Sequence, residues 1–80
     1  MIDRIKSEVA RIGYTLVDFR TRHRLDGSVD YVAHGECDGL HATWQGRFNS
    51  DDSSNGLFWG HYDMGLEEAR EDLQIRARRL

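Results

Sequence analysis

His34, Cys37 and His41 stand in an H-x2-C-x3-H spacing, with His23 and His61 elsewhere in the chain. Zinc needs three or four convergent nitrogen or sulfur ligands. The alternation of a strand through these residues opposes that chemistry, because it points His34 and His41 to one face and Cys37 to the other. The same parity opposes a Cys-His nucleophile pair. It places Cys37 on the apolar face near Val17, where a thiol is inert. Asp51-Asp52, followed by Ser53, Ser54 and Asn55, lacks the spacing of a calcium loop and reads as a solvated turn. No Gly-x-Ser-x-Gly, phosphate loop or dinucleotide turn is present. The residues therefore predict no cofactor, no metal and no enzymatic activity.

Charge carries more information. The formal net charge is −3, with 11 Lys and Arg against 14 Asp and Glu. Residues 1–25 are basic and residues 73–80 add Arg76, Arg78 and Arg79, whereas residues 26–72 hold only Arg47 and Arg70 against most of the acids. Such a middle suits a basic protein surface better than nucleic acid. Its candidate contacts are Asp51, Asp52, Glu67, Glu68, Glu71 and Asp72. A competing surface is formed by Arg20, Arg22, Arg24 and Arg47, which could hold phosphates or a partner's carboxylates.

The elements that position these groups follow from periodicity. Ile2, Ile5, Val9 and Ile12 recur at helical spacing, and Gly13 is placed to end that helix near residue 12. Three strands follow, over about 15–22, 29–37 and 40–48. Asp38-Gly39 signals a two-residue hairpin that sets Cys37 opposite Leu40, Ala33 opposite Trp44, Tyr31 opposite Gly46 and Val29 opposite Phe48. Parity in the first hairpin predicts a three-residue loop, Asp26-Gly27-Ser28, with Phe19 opposite Gly35. Asn49 to Gly56 reads as a polar loop. Residues 57–62 read either as a short fourth strand or as an extended lead-in. A second helix begins near Gly65, with Glu68 in capping-box position and an inner stripe of Leu66, Ala69, Leu73, Ala77 and Leu80. Ile75 falls opposite that stripe.

The chain thus predicts one α+β domain over residues 1–80, an antiparallel sheet of three or four strands. Both terminal helices are expected on one face, with the arginine-bearing face open. The expected core is Ile5, Val9, Ile12, Val17, Phe19, Tyr31, Ala33, Trp44, Phe48, Leu66, Leu73 and Ala77. One cysteine excludes an internal disulfide. No apolar run approaches the roughly 18 residues of a membrane span, and no signal-peptide pattern opens the chain, so a cytoplasmic protein is expected. The oligomeric expectation is a monomer, or a homodimer through the open face or Ile75.

The α-β-β-β-α order resembles that of double-stranded-RNA-binding domains in topology alone. Those domains carry a basic N-terminus on the second helix, where this chain has Glu67-Glu68-Ala69-Arg70-Glu71-Asp72. The sign opposes duplex binding by that route. The stretch from Gly56 to Leu73 resembles a pattern of short bacteriophage and mobile-element proteins, in which Gly-His-Tyr-Asp precedes a Leu-Glu-Glu-Ala-x-x-Asp helix. The whole chain resembles small anti-CRISPR proteins, inhibitors of the type I-C system in particular. That resemblance implies a stoichiometric, non-enzymatic inhibitor in a host bacterium. Its target would be a Cas protein or the Cas surveillance complex (Cascade), which it would hinder from binding target DNA. No functional residue is carried over by a motif.

Overall fold

The computed structural model describes all of residues 1–80. The order is α1 (Ile2–Arg11), β1 (Thr15–His23), β2 (Val29–Cys37), β3 (Leu40–Phe48), β4 (Ser54–Met64) and α2 (Leu66–Arg78). The four strands form one antiparallel sheet in the order β1-β2-β3-β4. The fold is α+β with terminal helices, as the periodicity predicts, and residues 57–62 do belong to a fourth strand.

Helix α1 ends in a Schellman turn. Gly13 takes φ +88, its N–H donates to the Ala10 carbonyl, and the Tyr14 N–H donates to the Val9 carbonyl. The β2–β3 hairpin turns through Asp38 and Gly39, both at positive φ, and its register is the predicted one at every pair named above. Large residues sit over small ones as a result. Tyr31 lies over Gly46, and Ile5 and Val9 of α1 close a cluster with Tyr31, Ala33, Ala42, Trp44 and Phe48.

The first hairpin is shifted by two residues from its expectation. Phe19 faces Ala33 and not Gly35, and Arg22 faces Asp30. The parity argument survives, but the turn is displaced by one residue: the Arg24 N–H donates to the Ser28 carbonyl, which leaves Leu25-Asp26-Gly27 between them. A bulge at Val17 then breaks the alternation of β1. Leu16 swings to the core, and Val17 is left exposed. Ile12 and Leu66, also expected inside, are exposed, and Phe19 and Ala77 are only half-buried. The polar loop is shorter than expected, because Ser54, Asn55 and Gly56 already belong to β4. The capping box is absent: α2 begins at Gly65 with no side-chain cap bond.

One expectation is overturned outright. The helices do not share a face. Thr43 and Trp44 are neighbours on β3 and point to opposite sides, yet both are buried. Trp44 belongs to the α1 cluster, whereas Thr43 donates to Asp72 of α2. Val32, His34 and Thr43, placed on an open face by the sequence, are completely buried. The sheet is the middle layer of three, with α1 on one side and α2 on the other.

Candidate functional site

Three adjacent pairings put Asp18, His34, Thr43 and His61 in one row across all four strands, on the face that α2 covers. Asp72 of α2 descends onto this row. Its Oδ2 accepts from Thr43 Oγ1, from His61 Nδ1 at 2.9 Å and from Arg76 Nε at 3.1 Å. Burial alone would raise the Asp72 carboxyl; the three donors outweigh it and hold the group below the ordinary carboxylate range. Arg76 also donates to Thr43 Oγ1 at 3.1 Å and to the Trp59 carbonyl. A hydroxyl, a carboxylate and an imidazole thus meet, but in the wrong order for nucleophile activation. A relay needs the imidazole between the other two. Here the carboxylate is central and ionised, and Thr43 is fully buried. The knot docks a helix.

Around it runs a cleft between β4 and α2. One lobe, of about 510 Å³, is lined by Gly60, His61, Tyr62, Met64, Glu68, Glu71, Asp72 and Ile75. A second, of about 370 Å³, is lined by Gln45, Trp59, His61, Asp72, Ile75, Arg76 and Arg79. His61, Asp72 and Ile75 form the ridge that both lobes share. Trp59 stands over the second lobe, 71% exposed, at φ +54. A bulky residue in the left-handed region costs on the order of 1–3 kcal/mol and persists only where its surroundings enforce it. Here Arg76 grips its carbonyl, and its ring meets Phe58 edge-on at 5.1 Å. The Tyr62 ring lies across Gly60 so closely that a Cβ there would fall 2.6 Å from it, and its hydroxyl accepts from Trp44 Nε1 at 2.9 Å.

The acidic residues expected to act together are divided. Asp51 and Asp52 sit in the β3–β4 turn, at the opposite end of β4 from the start of α2. Asp51 caps Ser53 there, with its carboxyl lowered by the Ser53 side-chain and backbone donors, and Asp52 faces Arg4. Glu67 pairs with Arg70 at 3.0 Å, and Asp72 is consumed by the knot. Glu68 and Glu71 remain without an ion-pair partner and line the larger lobe.

The arginines of the presumed open face have internal partners instead. Arg20 pairs with Asp18 at 2.8 Å, Arg22 donates to the Leu80 carbonyl, and Arg24 and Arg47 share Asp30. The face between them is covered by α2.

His34 and His41 come together, with His34 Nε2 and His41 Nδ1 2.8 Å apart, and no third His, Cys, Asp or Glu converges to complete a metal site. Cys37 is half-buried at the strand end rather than in the core; partial burial and the Asp38 carboxylate push its thiol up. Neither the His61–Asp72 contact nor the strained backbone of Trp59 is signalled by spacing or periodicity. For Trp59 the available clue was two successive aromatics in a strand, one of which must face outward. Comparison with protein-family models, with curated proteins and with solved structures finds no match.

Proposed function

We propose that this chain is a non-enzymatic inhibitor that uses the β4–α2 cleft to occupy a basic, nucleic-acid-binding surface of a protein partner. The observation that carries the reading is Trp59, an exposed aromatic held in a strained backbone at the mouth of a cleft. Aromatic anchors of this kind dominate binding energy at protein interfaces. Ile75 extends the apolar part of the surface, and the unpaired Glu68 and Glu71 give it a sign that suits lysine and arginine. Following the resemblance read in the sequence, the partner proposed is type I-C Cascade, and the step blocked is its binding of target DNA in the host cytoplasm.

The test is a target-DNA gel shift with purified type I-C Cascade and increasing amounts of the chain. One equivalent should abolish retardation. Trp59→Ala, and separately the pair Glu68→Lys and Glu71→Lys, should raise the concentration needed by roughly 30-fold, the ~2 kcal/mol of a lost anchor. Unhindered DNA binding in the presence of excess wild-type chain rejects the proposed partner. Inhibition that survives both variants moves the interface away from the cleft.

A further inference from the structure

His34 is completely buried between the sheet and α2, near the middle of the polar row. Its Nε2 meets His41 Nδ1, with the ring centroids 4.9 Å apart, and its own Nδ1 is buried with no partner. These three facts assign the protons. A buried N–H without an acceptor is rarer and costlier than a bare lone pair. The neutral pair therefore has His34 Nε2–H donating to His41 Nδ1, with the His34 Nδ1 lone pair unfilled. The buried His34 ring does not accept another proton without penalty. A proton on His34 Nδ1 creates a buried cation whose new N–H has no acceptor. With His41 Nδ1 occupied as the acceptor of the His34 Nε2–H at 2.8 Å, the orphan Nδ1 is the position on His34 left for that proton.

The charged neighbours do not relieve this. Asp18 faces His34 from β1 and favours the charge, but Arg20 already pairs with that carboxylate. His41 from β3 and Arg70 from α2 both oppose the charge. His61, on β4 in the same row, is engaged with the Asp72 carboxylate at 2.9 Å and offers His34 no acceptor.

We propose that the His34–His41 pair is an acid-operated latch on α2: neutral, it lets the helix dock, and on protonation it lifts Ala69 to Leu73 from the sheet and opens the wall of the cleft. The inference concerns the docking of α2 and holds whatever the cleft binds. The direction follows from linkage. Burial holds His34 below its ordinary value, so the unfolded or undocked chain binds the extra proton more readily. The docking contribution is complete above about pH 6.5 and is lost as pH falls from there through the lowered folded value. Asp72 is also held low, so it stays ionised across this window and does not confuse the reading.

Amide hydrogen exchange, expressed as protection factors, reads the latch directly. Between pH 7.5 and pH 5.0 the amides of Ala69 to Leu73 should lose at least tenfold more protection than those of β2 and β3. His34→Gln keeps a donor at the Nε2 position and cannot titrate; in that variant the selective loss should vanish. Should His34→Gln fail to fold, ring ¹⁵N shifts of the wild-type chain decide. They should show a bare Nδ1 on His34 at pH 7.5 and its protonation in step with the α2 exchange. Protection of α2 that is unchanged at pH 5.0, an equal loss across all elements, an undiminished selective loss in folded His34→Gln, or an imidazolium at His34 beneath a still-protected α2 would each overturn the proposal.

Discussion

Gly46 shows what a single position can fix. A Cβ there would lie 2.1 Å from Cζ of Tyr31 and 2.4 Å from its hydroxyl, so the ring occupies the space that any side chain would need. Tyr31 is fully buried, its hydroxyl has no partner, and burial pushes its ionisation well above the ordinary phenol range. The ring cannot swing out without opening the α1 cluster. Gly46→Ala should therefore destabilise the fold by about 1–3 kcal/mol, the usual cost of overpacking. Urea unfolding should show a lower midpoint at an unchanged slope. This contact was legible in the sequence, because the Asp38-Gly39 turn sets Tyr31 opposite Gly46. The exposure of Val17 was not. A single bulge residue reverses the faces of its neighbours, and nothing in Thr-Leu-Val-Asp-Phe announces it. Trp59 lies between these cases: its exposure was foreseeable as one of two options, but its left-handed backbone depends on Arg76, seventeen residues away.

At the level of elements, both open edges of the sheet are guarded by different means. On β1 the Phe19 N–H donates to Asp18 Oδ1 and the Phe19 carbonyl accepts from Arg20, each at 2.8 Å, so two backbone groups on the strand are already satisfied by side chains. Arg20 and Asp18 also bond to each other. On β4 the ladder to β3 is broken three times, and Gly56, Trp59 and Asp63 all take positive φ. Such an edge is a poor template for a further strand. A partner that meets β4 is then recognised by side chains in the cleft rather than by added backbone pairing. The β1 guard is testable. Replacing Asp18 and Arg20 together by alanine frees the Phe19 groups, and sedimentation velocity should reveal larger species growing with concentration. An unchanged distribution would show that the side-chain clamp does not protect the edge. Hairpin signals are local, which is why the β2–β3 register was readable to the residue. The β1–β2 register differs by two because the turn is centred on Asp26 and not on Gly27, and moving its centre by one residue moves every pair by two.

For the whole molecule, the decisive feature is that both faces of the sheet are covered, by layers of different character. The α1 side is an apolar cluster, whereas the α2 side seats Val32, Ala69 and Leu73 around His34, Thr43, Asp72 and Arg76. Small antiparallel sheets commonly have one face buried and one wet, and on that pattern this side would stand open. The residues held a hint against it. Val32, His34 and Thr43 at the centre of that face carry no fixed charge, while Asp18, Arg20, Arg22, Asp30 and Arg47 surround them, Arg20 paired with Asp18 and Arg47 with Asp30. The distinction has a consequence for a shortened chain. Were both helices on one face, Val32, His34 and Thr43 would lie on a face already adapted to water, and loss of α2 would leave them unchanged. With α2 as the sole cover of the second face, ending the chain at Gly65 uncovers Val32, His34 and Thr43 together and removes every partner of the polar row that comes from Asp72 and Arg76. Each buried polar group abandoned in this way costs about 1–3 kcal/mol, against the 5–15 kcal/mol by which a small domain is stable at all. A chain ending at Gly65 should show collapsed near-ultraviolet circular dichroism from Trp44 and bind a hydrophobic dye. A truncated chain that keeps the native spectrum and melts cooperatively would contradict the three-layer account.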